Sequence, residues 1–306
     1  MSLWADMIRC ASRGAALLGP AADRARFFLQ SQLNEDGGLN DRAGVSDLYY
    51  TGLGLSAWSA IEPISAGPAV DRQARVLAYL RSFGDGAGLD LIHLSCLARS
   101  WACLGGSDAA ADAFRRKLPE KIEKWRSADG GFGQEPGAER GTVYGCFLAV
   151  GAIQDCGANV PHGDCVARCV SSCRSAGEGF SNSPGEELGL APATAGAVQV
   201  LHALDRPVVP AWGRWLIERC FRGGGFAAHE LAPENDLLST AVALHAVELA
   251  GVSLSEDQRR QCSAFVRGLQ TEQGGFRGAA SDVMADCEYT FYGLLALGHL
   301  GDDRAA

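Results

Sequence analysis

From residue 24 onward, hydrophobic and polar positions come in a repeating pair of segments. The first member of each pair, such as EDQRRQCSAFVRG, carries charge along one face. The second, such as TAVALHAVELA, is apolar almost all the way round. One apolar stripe at helical spacing predicts a helix with one wet face, whereas an all-round apolar helix must be buried. The pair recurs at intervals of roughly 40 residues, the signature of a repeat architecture. Six copies span 24–61, 75–105, 123–154, 168–204, 215–251 and 265–301. Outer helices are predicted over 24–33, 72–82, 112–126, 164–174, 210–220 and 256–270, each followed by a glycine loop and an inner helix.

Two layers of six helices close most simply as an all-α (α/α)6 toroid, a single domain over 1–306, with the inner helices around a central apolar cavity. The loop glycines, among them Gly37, Gly38, Gly130, Gly131, Gly274 and Gly275, end the outer helices and accept positive φ. A second periodicity marks the inner-helix starts. Asp47, Asp90, Asp236 and Asp286 are each followed three residues later by a polar or aromatic residue: Tyr50, His93, Ser239 and Tyr289. Aspartate there caps the orphan N–H groups of a helix. In a toroid these starts gather at one mouth, where a reaction site is expected.

Composition adds exclusions. The chain is 47% hydrophobic and 21% charged, and no run approaches the ~18 apolar residues of a membrane span. The first twenty residues have interspersed charges rather than the basic cluster and apolar core of a leader, so a cytoplasmic protein is expected. The eleven cysteines are scattered and read as free thiols, with Cys165, Cys169 and Cys173 as packed core residues on one helix face. A net charge of −9 with dispersed Lys and Arg argues against a nucleic-acid partner.

The run Gln270 to Phe276 (QTEQGGF), followed by Asp286-Cys-Glu-Tyr-Thr290 and FYGLLALGHLG, resembles the last repeat of protein prenyltransferase β subunits. The likeness extends over all six repeats and is nearest to the Rab-type geranylgeranyltransferase β subunit; squalene and hopene cyclases share the loop motif more loosely. It implies a funnel for a prenyl chain, a separate helical-repeat α subunit, and a zinc ion that holds the acceptor cysteine as thiolate. The family's zinc ligands are an Asp and a Cys two residues on in the fifth repeat, and a His three residues after an Asp in the sixth. Here the aspartate is Asp236, but the other two positions hold Leu238 and Tyr289, which cannot make a three-ligand zinc site. Zinc is therefore not expected, nor is any other cofactor; a rearranged site would draw on Cys287, Glu288 and His229. The family's cationic diphosphate pocket is thin as well. The fifth loop, FAAHELAPEND, offers only His229, and the fourth inner helix begins LAPATAGAV, leaving Arg140 and Arg277 as the nearest cations.

Candidate catalytic residues are Asp236 and Tyr289. Tyr50, His93, Tyr144 and Tyr292 are candidate cavity or rim residues for a ligand, among inner-helix aromatics that also include Tyr49, Trp58, Trp101, Phe147 and Phe291. The expected function is a prenyltransferase-like protein that binds an isoprenoid or its diphosphate, with zinc-dependent cysteine alkylation doubted. The alternatives are an active geranylgeranyl or farnesyl transferase with a zinc-independent or rearranged site, a non-catalytic scaffold that binds another protein across the rim, and a glycan-acting (α/α)6 enzyme using rim aspartates; an α-subunit-like protein is a candidate partner. A terpene cyclase would need DxDD or DDxxD clusters; the one adjacent pair, Asp302-Asp303, lies in the C-terminal tail.

Overall fold

The computed structural model describes residues 2–62, 70–105 and 108–301, so Asp302 and Asp303 fall outside the described residues. Helix α1 (Leu3–Leu18) precedes six hairpins. These are α2 (Ala21–Ser31) with α3 (Leu48–Ile61), α4 (Val70–Ser82) with α5 (Leu91–Leu104), and α6 (Ala109–Ile122) with α7 (Val143–Asp155). They continue with α8 (Gly163–Ser172) and α9 (Ala191–Ala203), α10 (Pro210–Cys220) and α11 (Leu237–Leu249), and α12 (Glu256–Gly268) and α13 (Cys287–Leu300). The third outer segment ends in a 3₁₀ turn, Glu123–Trp125, so the expected single helix over 112–126 is two pieces.

The odd-numbered helices from α3 to α13 form the inner ring. Each packs on the next, and α13 packs back on α3 to close the circle. Burial follows the hydrophobic pattern: α12 buries only Cys262 and Val266, while α11 buries everything from Ser239 to Val247. The closed (α/α)6 toroid expected from the repeats is the fold.

Capping fixes where the inner helices start. The carboxylates of Asp47, Asp90, Asp236 and Asp286 accept the backbone N–H three residues on, at 3.0, 2.9, 2.7 and 2.8 Å, satisfying donors that the first helical turn leaves open. The loops also lock the ring. Gly274, at φ +101°, lies so close to α2 that a Cβ would come within 2.2 Å of the Arg24 carbonyl carbon. Arg42 of the first loop binds Asp286 and Asp282 of the sixth, each at 2.7 Å.

The repeat pattern, which begins at residue 24, assigns no element to the N-terminal segment, yet that segment is a helix. Ser2 caps an amphipathic helix that packs on α13, α3, α7 and α9, crossing the end of the ring where the inner helices finish. A Cβ on Gly14 would lie 1.9 Å from the Leu294 carbonyl oxygen, and one on Gly298 2.0 Å from that of Cys10. Two glycines thus let the backbones of α1 and α13 touch. Leu3 N donates to Gln154 Oε1 near the end of α7 at 3.0 Å. Among the described residues all eleven cysteines are free, with Cys169 and Cys173 buried and Cys165 partly exposed. No helix among them is long and apolar enough to cross a membrane.

Candidate functional site: an apolar funnel with a polar floor

The inner ring encloses a cavity of about 390 Å³, within the range of small-molecule sites. Its walls come in tiers, because equivalent positions on the inner helices sit at equal depth. Near the helix starts are Tyr49, Tyr144, Pro192 and Leu238, with Asn182 and Leu190 from the fourth loop; all are half-buried. One turn deeper come Leu53, Cys96, Leu148, Gly196, Val242 and Tyr292. Deepest are Arg99 and Gln199, with Trp4 and Met7 of α1. Arg99 follows the start of α5 by eight residues, about 12 Å at the helical rise. The helix-start tier is half-buried, whereas the middle and deepest tiers are buried, with no floor residue more than 3% exposed, so the funnel opens at the helix-start end and α1 floors it.

The sequence-predicted residues divide between wall and rim. Tyr144 and Tyr292 line the cavity, as do Tyr49 and Phe147. Tyr50 stands beside Tyr49 at the first helix start, edge to face at 5.6 Å. His93 is drawn to its own capping residue, with Nδ1 2.7 Å from Asp90. Trp58 and Trp101 are buried in the core, and Phe291 packs against Trp4. Asp236 caps α11 through Ser239 N, and burial raises its carboxyl above the usual range despite that hydrogen bond. Tyr289 sits under the Arg42 guanidinium, 5.4 Å from the ring centroid, and burial pushes its phenol up to about 12. Neither Asp236 nor Tyr289 belongs to the cavity wall.

Zinc does not fit these residues. Leu238 turns a hydrocarbon side chain into the cavity at the family's cysteine position, Asp236 is committed to its cap, and the Tyr289 phenol resists the deprotonation a ligand needs. Among the described residues, no cluster of three His, Cys, Asp or Glu could hold a metal. Cys287 is wholly buried, with its thiol raised by desolvation. His229 Nδ1 accepts a hydrogen bond from Leu231 N within its own loop.

The rim is acidic. Glu288 accepts a 2.6 Å hydrogen bond from the Tyr49 hydroxyl, and burial raises its carboxyl, opposed by that hydrogen bond. Burial likewise raises Asp286. The neighbouring Arg42 is occupied by Asp282 and Asp286, Arg277 donates to the Asp282 and Gly268 carbonyls, and Arg140 is exposed in the third loop.

Sequence reasoning did not single out Arg99, Gln199, Trp4 or Met7. For the first two a signal existed: each is a strongly polar residue in the middle of an apolar inner helix whose one histidine lies near an end, LIHLSCLARSWACL or APATAGAVQVLHA.

A family model described as the prenyltransferase alpha-alpha toroid domain matches residues 14–77, 101–230 and 232–306. Candida albicans protein geranylgeranyltransferase-I complexed with GGPP superposes with a TM-score of 0.65 at 14% identity, over 91% of this chain and 90% of that one. The type II terpene cyclase MstE from Scytonema gives 0.61 at 14% identity, over 94% and 97%. A protein from Actinoplanes gives 0.62 at 17% identity, over 92% and 98%. No protein of curated function matches in sequence. With the closed ring of six hairpins and a family match running through all but a short stretch of it, this chain belongs to the prenyltransferase α/α toroid family.

Proposed function

We propose that this protein binds an isoprenoid chain in its funnel and does not carry out zinc-dependent cysteine alkylation. The observation that carries the reading is the wall itself: two tiers of aliphatic and aromatic side chains from the inner ring, closed below by α1. Such a surface gains from burying hydrocarbon, at about 25 cal/mol per Å² removed from water. The fold's relatives support the choice of chain, since one was solved with GGPP. Leu238 and Tyr289, at two of the family's three metal positions, argue against a zinc-held thiolate.

Calorimetry with farnesol, farnesyl diphosphate and geranylgeranyl diphosphate tests this, with and without added zinc. Binding of at least one chain is expected, with no dependence on zinc. Gly196, whose Cβ would point past Val143 Cγ1 at 3.2 Å, offers the control: Gly196→Trp fills the middle tier and should abolish the heat. No response from the wild type at millimolar ligand would sink the proposal.

A further inference from the structure

An apolar funnel has no use for a fixed charge, yet its floor has Arg99, which also borders a second cavity shared with Asp155. The side chain is 2% exposed and lines the cavity. Its Nε lacks a hydrogen-bond partner, and its guanidinium carbon stacks 3.0 Å from the centroid of the Trp4 ring. Asp155 lies within reach of its field without closing an ion pair, and Asp155 Oδ2 is itself unpartnered. Gln199 is also 2% exposed and lines the same cavity. Both its amide nitrogen and its oxygen are unpartnered. Buried polar groups normally find partners, and an isolated buried cation is costly. Both groups belong to residues that line one cavity, and a polar ligand group seated there would supply the partners they lack.

We propose that the funnel takes its ligand head first: an isoprenoid-type chain ending in a single carboxylate, bound by Arg99 and Gln199, with the chain rising past Phe147 and Tyr292 towards the mouth. The inference rests on the isoprenoid-binding reading above. Charge selects the head group. One guanidinium neutralises one carboxylate through parallel N–H···O bonds, and the Gln199 amide donates a further hydrogen bond. A diphosphate brings several negative charges to a floor with one cation. The protein's net charge of −9 gives no general attraction for anions, so any preference for an acid must come from the floor.

Calorimetry on the full chain with farnesoic acid, farnesol and farnesyl diphosphate tests this. The acid should bind the wild type at least about tenfold more tightly than the alcohol, the advantage of a buried charge-assisted pair. Arg99→Met should erase that advantage while leaving farnesol within about twofold, and its Tm should equal or exceed the wild-type value, because an unpaired buried charge is gone. Asp155→Asn, which keeps the guanidinium, should retain the preference for the acid. Equal binding of acid and alcohol by the wild type overturns the proposal. So does a preference for acid that survives Arg99→Met, or a large loss of Tm shared by Arg99→Met and Asp155→Asn, which would make the two a structural pair. If none of the three probes binds, the isoprenoid reading fails separately. The floor is then read with 3-phenylpropanoate, whose binding must depend on Arg99 for the carboxylate site to stand.

Discussion

At the scale of single residues, one hydroxyl recurs around the ring. Thr51, Thr194, Thr240 and Thr290 each accept the backbone N–H of the residue that closes the glycine loop: Leu39, Phe180, Phe226 and Phe276, at 2.9, 2.9, 2.9 and 3.2 Å. Three of them also donate to the carbonyl of the capping aspartate four residues back, at 2.6 to 2.7 Å. Each hydroxyl therefore ties a loop to its inner helix inside the core. In the third repeat Cys146 Sγ takes the place, 3.4 Å from Phe132 N. Removing the oxygen strands a buried N–H, a loss of about 1–3 kcal/mol. Thr240→Val should lower urea stability by that amount, and Thr240→Ser should recover most of it. Equal stability of the Val and Ser variants would show that the loop finds another partner. The aspartates of this motif were legible in the sequence as caps, because capping is a local property. The threonine's second bond spans fourteen residues in three of the four cases, and only the folded loop reveals it.

At the scale of elements, the six hairpins were legible because their periodicity is set by which face meets water, and every repeat solves that problem in the same way. Helix α1 was not, since it has no copy elsewhere in the chain and its apolar face is explained only by the open end of a ring already formed. That missing element carries half of the funnel floor, Trp4 and Met7; the other half, Arg99 and Gln199, shows in the sequence only as polar residues within apolar helices, with nothing to say which way they point. Docking of α1 depends on Gly14 and Gly298, where the backbones touch. A side chain at Gly14 collides with main chain, not with a movable tip, so Gly14→Leu should cost about 3 kcal/mol, at the upper end of overpacking losses. Because α1 also floors the cavity, the same variant should weaken chain binding while the circular-dichroism signal of the ring persists. Unchanged binding by Gly14→Leu would place the ligand away from the floor.

At the scale of the whole molecule, ring and plug are joined by a buried polar chain with its own pH dependence. His299 of α13 places Nδ1 2.6 Å from Glu248 and Nε2 3.1 Å from both Cys10 Sγ and His245 Nδ1. Desolvation lowers the His299 pKa, but the hydrogen bonds to Cys10 and Glu248 outweigh it and raise the group to about 9. The hydrogen bond from His299 carries Glu248 down to about 2, while burial, reinforced by the His299 charge, lowers His245 to about 3. At neutral pH His299 is thus charged and donates at both ends, and His245 is neutral and accepts at Nδ1. Arg13 and Asp6 of α1 face the same chain, Arg13 at Cys10 and Glu248, and Asp6 3.8 Å from His245 Nε2. A raised histidine stabilises fully below its unfolded value near 6.5 and loses that contribution as pH climbs through 9. The lowered Glu248 contributes above about 4.5 and is lost only as pH falls through 2. His245 works the other way: the unfolded chain takes up its proton below 6.5 while the fold refuses it, so stability drains from 6.5 down towards 3. Buried carboxyls such as Asp155, raised to about 6, act in the same acid window, so each histidine is read as a difference between wild type and variant. Urea unfolding at pH 5, 6.5 and 9 should show the stability deficit of His299→Gln shrinking between 6.5 and 9 by about 1–2 kcal/mol, after allowing for the solvent that screens half-exposed Glu248. His245→Met should instead gain on the wild type between 6.5 and 5. A deficit of His299→Gln that stays constant to pH 9 would mean that the charged link between plug and ring does not form.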